Sequence, residues 1–85
     1  MGQPPTRVQR ARTDARRTGI VAFVADFHRE HGYGPSLREV ADAIGLGLSS
    51  TTYHVGQLAR RGVLVSEPRK PRSLRLVEVH SRESP

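Results

Sequence analysis

A mainly α domain with a small β-hairpin, three helices followed by a two-stranded antiparallel wing, is predicted by three features of this 85-residue sequence. Apolar residues recur at helical spacing in three separate stretches. Glycine and proline punctuate the joints between those stretches. After Gly62 the pattern changes to short β-branched runs on either side of a turn containing two prolines. The length suits one domain with a modest core, and we divide the chain into a basic arm (1–12), a folded domain (13–79) and a frayed polar tail (80–85).

The arm MGQPPTRVQRAR has almost nothing to bury, so it is expected to be disordered. The first helix is expected to start at a Thr13 or Asp14 cap. Its apolar stripe is Ile20, Phe23, Val24 and Phe27, spaced i, i+3, i+4 and i+7. It should end near His31, because Gly32 supplies a C-terminal cap and Gly34 with Pro35 cannot continue it. The second helix has clear punctuation: Ser36 as N-cap, Glu39 completing a capping box three residues on, and Gly45 as terminator. Leu37, Val40, Ala41 and Ile44 form its expected buried face. Beyond Leu46, Gly47 and Leu48, the third helix has Ser49 or Ser50 as N-cap, an apolar pattern at Thr51, Val55, Leu58 and Ala59, and a stop at Gly62. Val63, Leu64 and Val65 read as one strand. Leu74 and Leu76, with Val77 and Val79, read as its partner around the turn from Glu67 to Arg72. This order is that of a winged helix-turn-helix.

Charge is distributed unevenly along the chain, whose formal net charge is +6. Residues 1–18 hold five arginines against Asp14, and residues 60–76 hold six cations against Glu67, whereas residues 19–59 are nearly neutral. Two basic ends suit a polyanion such as nucleic acid; plain solubility is the simpler alternative. The absence of cysteine removes disulfides, thiolate metal sites and cysteine nucleophiles. There is no apolar run long enough for a membrane span and no signal-peptide pattern, so a cytoplasmic, nucleoid-associated protein is expected. His28 and His31, beside Asp26 and Glu30, have a spacing compatible with a metal, but they read better as surface histidines. No nucleophile, base and acid set stands out. Neither an enzyme nor a cofactor is expected.

The segment YGPSLREVADAIGLGLSSTTYHVGQLARRGVLVSEPRKPRSLRL resembles the N-terminal DNA-binding domain of LexA-type repressors. The resemblance rests on Gly32, Pro35 and Ser36 leading into REVADAIGL, on the Ser/Thr-rich third helix closing at Leu58 and Arg61-Gly62, and on the wing PRKPRSLRL. It covers about residues 13–77. Two departures accompany it. The segment from Gly45 to Gly62 is one residue shorter than the family pattern, and nothing corresponds to the family's dimerising self-cleavage domain, with its Ala-Gly scissile bond and Ser-Lys dyad. The resemblance therefore implies a DNA-reading head without the switch, either a stand-alone regulator or a piece of something longer.

In such a fold the third helix enters the major groove with its N-terminal residues against base edges. With Thr51, Val55 and Leu58 facing inward, Ser49, Ser50, Thr52, Tyr53, Gln57 and Arg60 form the candidate reading face. Hydroxyls can address bases or phosphates, Gln57 can pair with adenine, and Tyr53 offers a ring to a thymine methyl. Gly56 weakens the helix, which is explained by a close approach of DNA or of the second helix. Arg69, Lys70 and Arg72 in the wing are candidates for the backbone or minor groove, where attraction is largely independent of sequence. Arg7, Arg10 and Arg12 in the arm, with Ser36 and Arg38 at the second helix N-terminus, are weaker candidates. The expected partner is double-stranded DNA. Dimerisation on DNA, or a separate protein supplying it, stays open, since family members pair through the domain absent here. Two other readings stand beside this one: a winged helix that docks on a protein partner, and a non-specific nucleic-acid binder.

Overall fold

The computed structural model describes residues 6–77. Three helices, α1 (Arg7–His31), α2 (Leu37–Ile44) and α3 (Leu48–Arg60), precede two short strands, β1 (Leu64–Val65) and β2 (Arg75–Leu76). The strands pair antiparallel with Leu64 opposite Leu76 and Val65 opposite Arg75. A further bond from the Val77 N–H to the Val63 carbonyl, 2.9 Å, continues the ladder by one rung. The predicted order of three helices and a wing is the observed one. Val79 and the tail from residue 80 lie outside the described residues, as do the first five residues of the arm.

The first helix starts well before the position expected from its apolar stripe. Thr6, not Thr13 or Asp14, is the N-cap: its hydroxyl accepts from the Gln9 N–H at 3.1 Å, and the Gln9 side chain accepts from the Thr6 N–H at 2.8 Å. Such a reciprocal cap satisfies two otherwise orphaned donors and is worth about 1 kcal/mol. Residues 7–12, expected to be disordered, are thus helical, although each is exposed. Within α1 only Ile20 and Val24 are fully buried; Phe23 and Phe27 are half-buried. At the other end Gly32, with φ of 79°, closes the helix by donating to the His28 carbonyl.

Helix α2 follows its sequence punctuation. Ser36 and Glu39 cap each other, and Gly45 ends the helix at a φ of 78° that only glycine adopts without strain. Val40 and Ala41 are buried as expected, and Ile44 is half-buried. Leu37 departs from the expected buried face: it is 36% exposed, and looks into a shallow groove shared with Pro35, Val55 and the wing. Only residues 45–47 separate α2 from α3. Gly47 is the N-cap of α3 and makes no side-chain bond, so the predicted cap at Ser49 or Ser50 is replaced by an uncapped start that brings Leu48 into the first turn. That frees both serine hydroxyls.

The core gathers one face from each element: Ile20 and Val24 of α1, Val40 of α2, Val55 and Leu58 of α3, Leu64 of β1, and Leu74 just before β2. Burying each such side chain contributes roughly 1.5–3 kcal/mol before conformational entropy is counted. Thr51 and His54 complete the inward face of α3, while Ala59, grouped with the apolar pattern in the sequence, is exposed. No helix among the described residues is long and apolar enough to cross a membrane.

Candidate nucleic-acid interface

Helix α3 is held by one face and offers the other. Thr51, His54, Val55 and Leu58 lie inside at 9% exposure or less. At 100° per residue the opposite side bears Ser49, Tyr53, Gly56 and Arg60, with Ser50 and Thr52 on its shoulders. All six are exposed, Tyr53 at 60%. Gln57 lies on the shoulder beside Ser50 and is half-buried. The residues singled out on this helix therefore fall on a single polar strip two to three turns long. Gly56 fits it for a narrower reason than the sequence suggested: a Cβ built there meets nothing within 4 Å, so α2 does not require the glycine.

The wing is a compact tip, not a floppy loop. Ser73 Oγ donates to the Glu67 carbonyl at 3.2 Å and accepts from the Glu67 N–H at 2.8 Å, while the Lys70 N–H donates to the Glu67 carbonyl at 3.2 Å. Within it Pro68-Arg69 and Pro71-Arg72 repeat one device. Each proline fixes its own φ, and the arginine after it takes a positive φ, 67° for Arg69 and 63° for Arg72. Proline followed by a left-handed residue is the form of a type II turn, in which glycine or asparagine usually takes the second place. Holding an arginine there costs on the order of 1 kcal/mol. Arg69 and Lys70 are exposed at the tip, with a loose 3.8 Å ion pair from Lys70 to Glu67.

Arg72 is placed differently from its neighbours. Its guanidinium pairs with the Glu39 carboxylate of α2 and lies over the rings of Phe27 and Tyr33, 5.9 and 5.3 Å from their centroids. Its carbonyl also accepts from the Gly34 N–H at 2.9 Å. One residue thus ties the wing to α1, to α2 and to the turn between them. The same cluster gives His31 a role, since its ring packs 4.2 Å from Phe27 and 5.6 Å from Tyr33.

Glu39 serves two partners at once. Its carboxyl is held below the usual carboxylate range first by the Ser36 N–H and then by Arg72, with burial opposing. Because the folded value lies below the unfolded one, the stabilisation is complete above the ordinary value of 4.5 and is lost as pH falls through the lowered one. We expect Glu39→Gln, which keeps a capping oxygen but not the charge, to unfold with a flatter pH dependence than wild type below that value; urea melts between pH 3 and 6 measure it. The weaker candidates sort by place. Ser36 spends its hydroxyl on the Glu39 N–H at 3.1 Å, Arg38 is exposed beside it, and Arg7, Arg10 and Arg12 project from the first turns of α1.

Sequence reasoning missed the contact between α1 and α3. Arg17 Nε donates to His54 Nδ1 at 3.3 Å, across 37 residues, and His54 is only 6% exposed. Burial first, and then the charges of Arg17 and Arg16, push the imidazole pKa below its ordinary value. The available signal was that His54 lies one turn from Thr51 and Leu58, on their side of the helix.

A family model described as the LexA DNA binding domain matches residues 10–73. Among curated proteins, the chain is 35% identical to the LexA repressor of Oenococcus oeni over 76% of its own length and 31% of that protein's. It is 34% identical to the LexA repressor of Brevibacillus brevis over 85% of its length and 35% of the relative's. The LexA repressor of Desulfitobacterium hafniense is 37% identical over 78% and 33%. The chain spans about a third of the length of the curated relatives it matches.

Proposed function

Since this chain belongs to the LexA DNA-binding domain family, we propose that it is a sequence-specific double-stranded DNA-binding protein that represses transcription by occupying promoter DNA. The observation that supports this best is the polar strip of α3, slim enough for the major groove and braced from behind by a buried face. Ser49, Ser50, Thr52, Tyr53 and Arg60 read base edges or adjoining phosphates, and Gln57 reaches in from the flank. Arg69 and Lys70 supply sequence-independent attraction to the backbone or minor groove. Arg72, engaged by Glu39 and two aromatic rings, is assigned to holding the wing in position rather than to phosphate. Arg7, Arg10 and Arg12 add backbone attraction from α1, and Ser36 and Arg38 flank it.

Binding-site selection from random duplexes tests the reading. Enrichment of one motif supports it, with a palindrome indicating two copies on DNA and a single half-site indicating one. Recovery of an unenriched pool removes the specificity claim and favours the non-specific alternative. On a selected site, Tyr53→Ala and Gln57→Ala should each lower discrimination by about 1–3 kcal/mol at the base pair that the side chain reads. Arg69→Ala and Lys70→Ala should instead weaken all duplexes alike, and each should reduce the slope of log affinity against log salt by about one. Gel shifts at several salt concentrations separate the two behaviours.

A further inference from the structure

One cleft opens beside the strip, bordered by Tyr53, and apart from the wing. It lies between the N-terminal half of α1 and α3, encloses about 390 Å³, and is walled by Arg10, Asp14 and Arg17 on one side and Tyr53, His54 and Arg61 on the other. Three arginines thus line one cleft with a single acid, Asp14. Among the described residues no ion pair involves Arg10, Arg17 or Arg61, although acids elsewhere are paired. Gathering like charges around one cleft is unfavourable by itself. An anion would relieve it.

The wall is built, not accidental. His54 is buried, and its Nδ1 accepts from Arg17 Nε, which fixes the guanidinium while leaving its two Nη groups for another acceptor. Planar guanidinium donors from two helices suit the several oxygens of a phosphate better than a single carboxylate. Tyr53 places the cleft beside the polar strip of α3. The wing groove, lined by Leu37, Val55 and Lys70, lies along the other flank of the same helix.

We propose that this cleft is a phosphate-binding site, formed by Arg10, Arg17 and Arg61 around His54. The identity of the phosphate rests on the DNA-binding reading: with α3 in the groove, the cleft takes a backbone phosphate on one side while Arg69 and Lys70 address the other. A free phosphate group offers the same chemistry from a second source. Either one adds negative charge among the groups facing His54, which are Arg16, Arg17, Arg10, Asp14 and Arg61. Protonation of His54 then becomes easier, so occupancy can be read from its ring.

The experiment uses the full chain with Arg17→Gln, Arg61→Gln and their double variant. Arg29→Gln, paired to Asp26 near the other end of α1, controls for removal of one charge. Each cleft variant should bind every duplex several-fold more weakly and reduce the salt slope by about one, with discrimination between sequences unchanged, whereas Arg29→Gln should alter neither. NMR of the His54 ring should show its pKa rising on addition of duplex in wild type and staying put in the double variant. If the double variant keeps wild-type affinity, slope and ring titration while Arg69→Ala and Lys70→Ala weaken binding, the cleft assignment is wrong and the DNA reading survives. If wild type binds no duplex but millimolar inorganic phosphate raises the His54 pKa, and does so only with both arginines present, the site holds and its ligand is a free phosphate. No response to duplex or to inorganic phosphate overturns the proposal.

Discussion

Gly34→Ala is expected to destabilise the domain by roughly 3 kcal/mol, the upper end of what overpacking costs. A Cβ at this position would lie 2.9 Å from both the nitrogen and the carbonyl carbon of Leu74, and closer still to its oxygen. These are backbone atoms, so no rotamer change relieves the clash. Either the segment leading into β2 moves outward or the turn before α2 does. Moving the first pulls Leu74, 7% exposed, out of the core and breaks the Gly34 N–H bond to the Arg72 carbonyl. Moving the second disturbs Pro35, which is buried. A small domain has only about 5–15 kcal/mol of stability in total, so this one methyl removes a large share. Gly19→Ala makes the comparison, since its Cβ meets only the end of the Ile44 side chain at 3.4 Å within α1 and should gain roughly 0.5–1 kcal/mol. Urea denaturation of the three proteins decides the matter. A destabilisation under about 1 kcal/mol for Gly34→Ala would show that the wing can shift away cheaply.

That glycine also shows where the sequence is legible and where it is not. In the sequence Gly34 reads as a helix terminator, a local reason, while its structural reason is the approach of Leu74 from a segment far along the chain. The same division runs through the rest of the fold. The capping box and stop of α2 are readable because Ser36, Glu39 and Gly45 act on neighbours within the same helix. The inward stripe of α3 is readable because Thr51, Val55 and Leu58 obey one period. The start of α1 escapes such a reading although its signal is equally local: Thr6 and Gln9 form a capping box, but the arginines and prolines around them have the composition of a disordered arm. Leu37 and Ala59 match the apolar pattern yet lie outside the core, since composition marks what can be buried and packing decides what is. The particular partners of Arg72 and His54 were not legible in the sequence. Arg72 shares a run of wing cations with Arg69 and Lys70, and only the position of Phe27, Tyr33 and Glu39 in space sets it apart. His54 owes its environment to Arg17, and sequence offers no measure of that distance.

The wing emerges as a fixed element whose position is coupled to the start of α2. Glu39 caps α2 and holds Arg72, so the helix that packs behind α3 and the cations that flank α3 share one carboxylate. Two proline turns and the Ser73 bonds to Glu67 stiffen the tip itself. Less freedom would then be given up if Arg69 and Lys70 met a polyanion, as proposed.

Gly56→Ala should separate stability from binding, moving them in opposite directions. Glycine inside a helix costs roughly 0.5–1 kcal/mol relative to alanine, and among the described residues no other part of the fold lies within 4 Å of the added methyl. The variant should therefore melt about 4–8 °C higher for each kcal/mol gained in a domain of this size. On the polar strip, however, Gly56 stands between Thr52, Tyr53 and Arg60, where the backbone of α3 would come nearest the groove floor. If α3 lies in the groove as proposed, a methyl there would hold the helix away and lengthen the neighbouring polar contacts. Affinity for a selected duplex should fall tenfold or more, while the salt slope, set by the wing and flanking cations, changes little. Calorimetric melting and gel shifts on the same preparation give both numbers. A variant that melts higher and binds as well as wild type would place the DNA on some other face of α3. One that binds more weakly with a proportionally smaller slope would mean that the methyl had weakened phosphate binding rather than the fit of the strip. The glycine that weakens the helix is thus the most direct probe of which surface of α3 meets the groove.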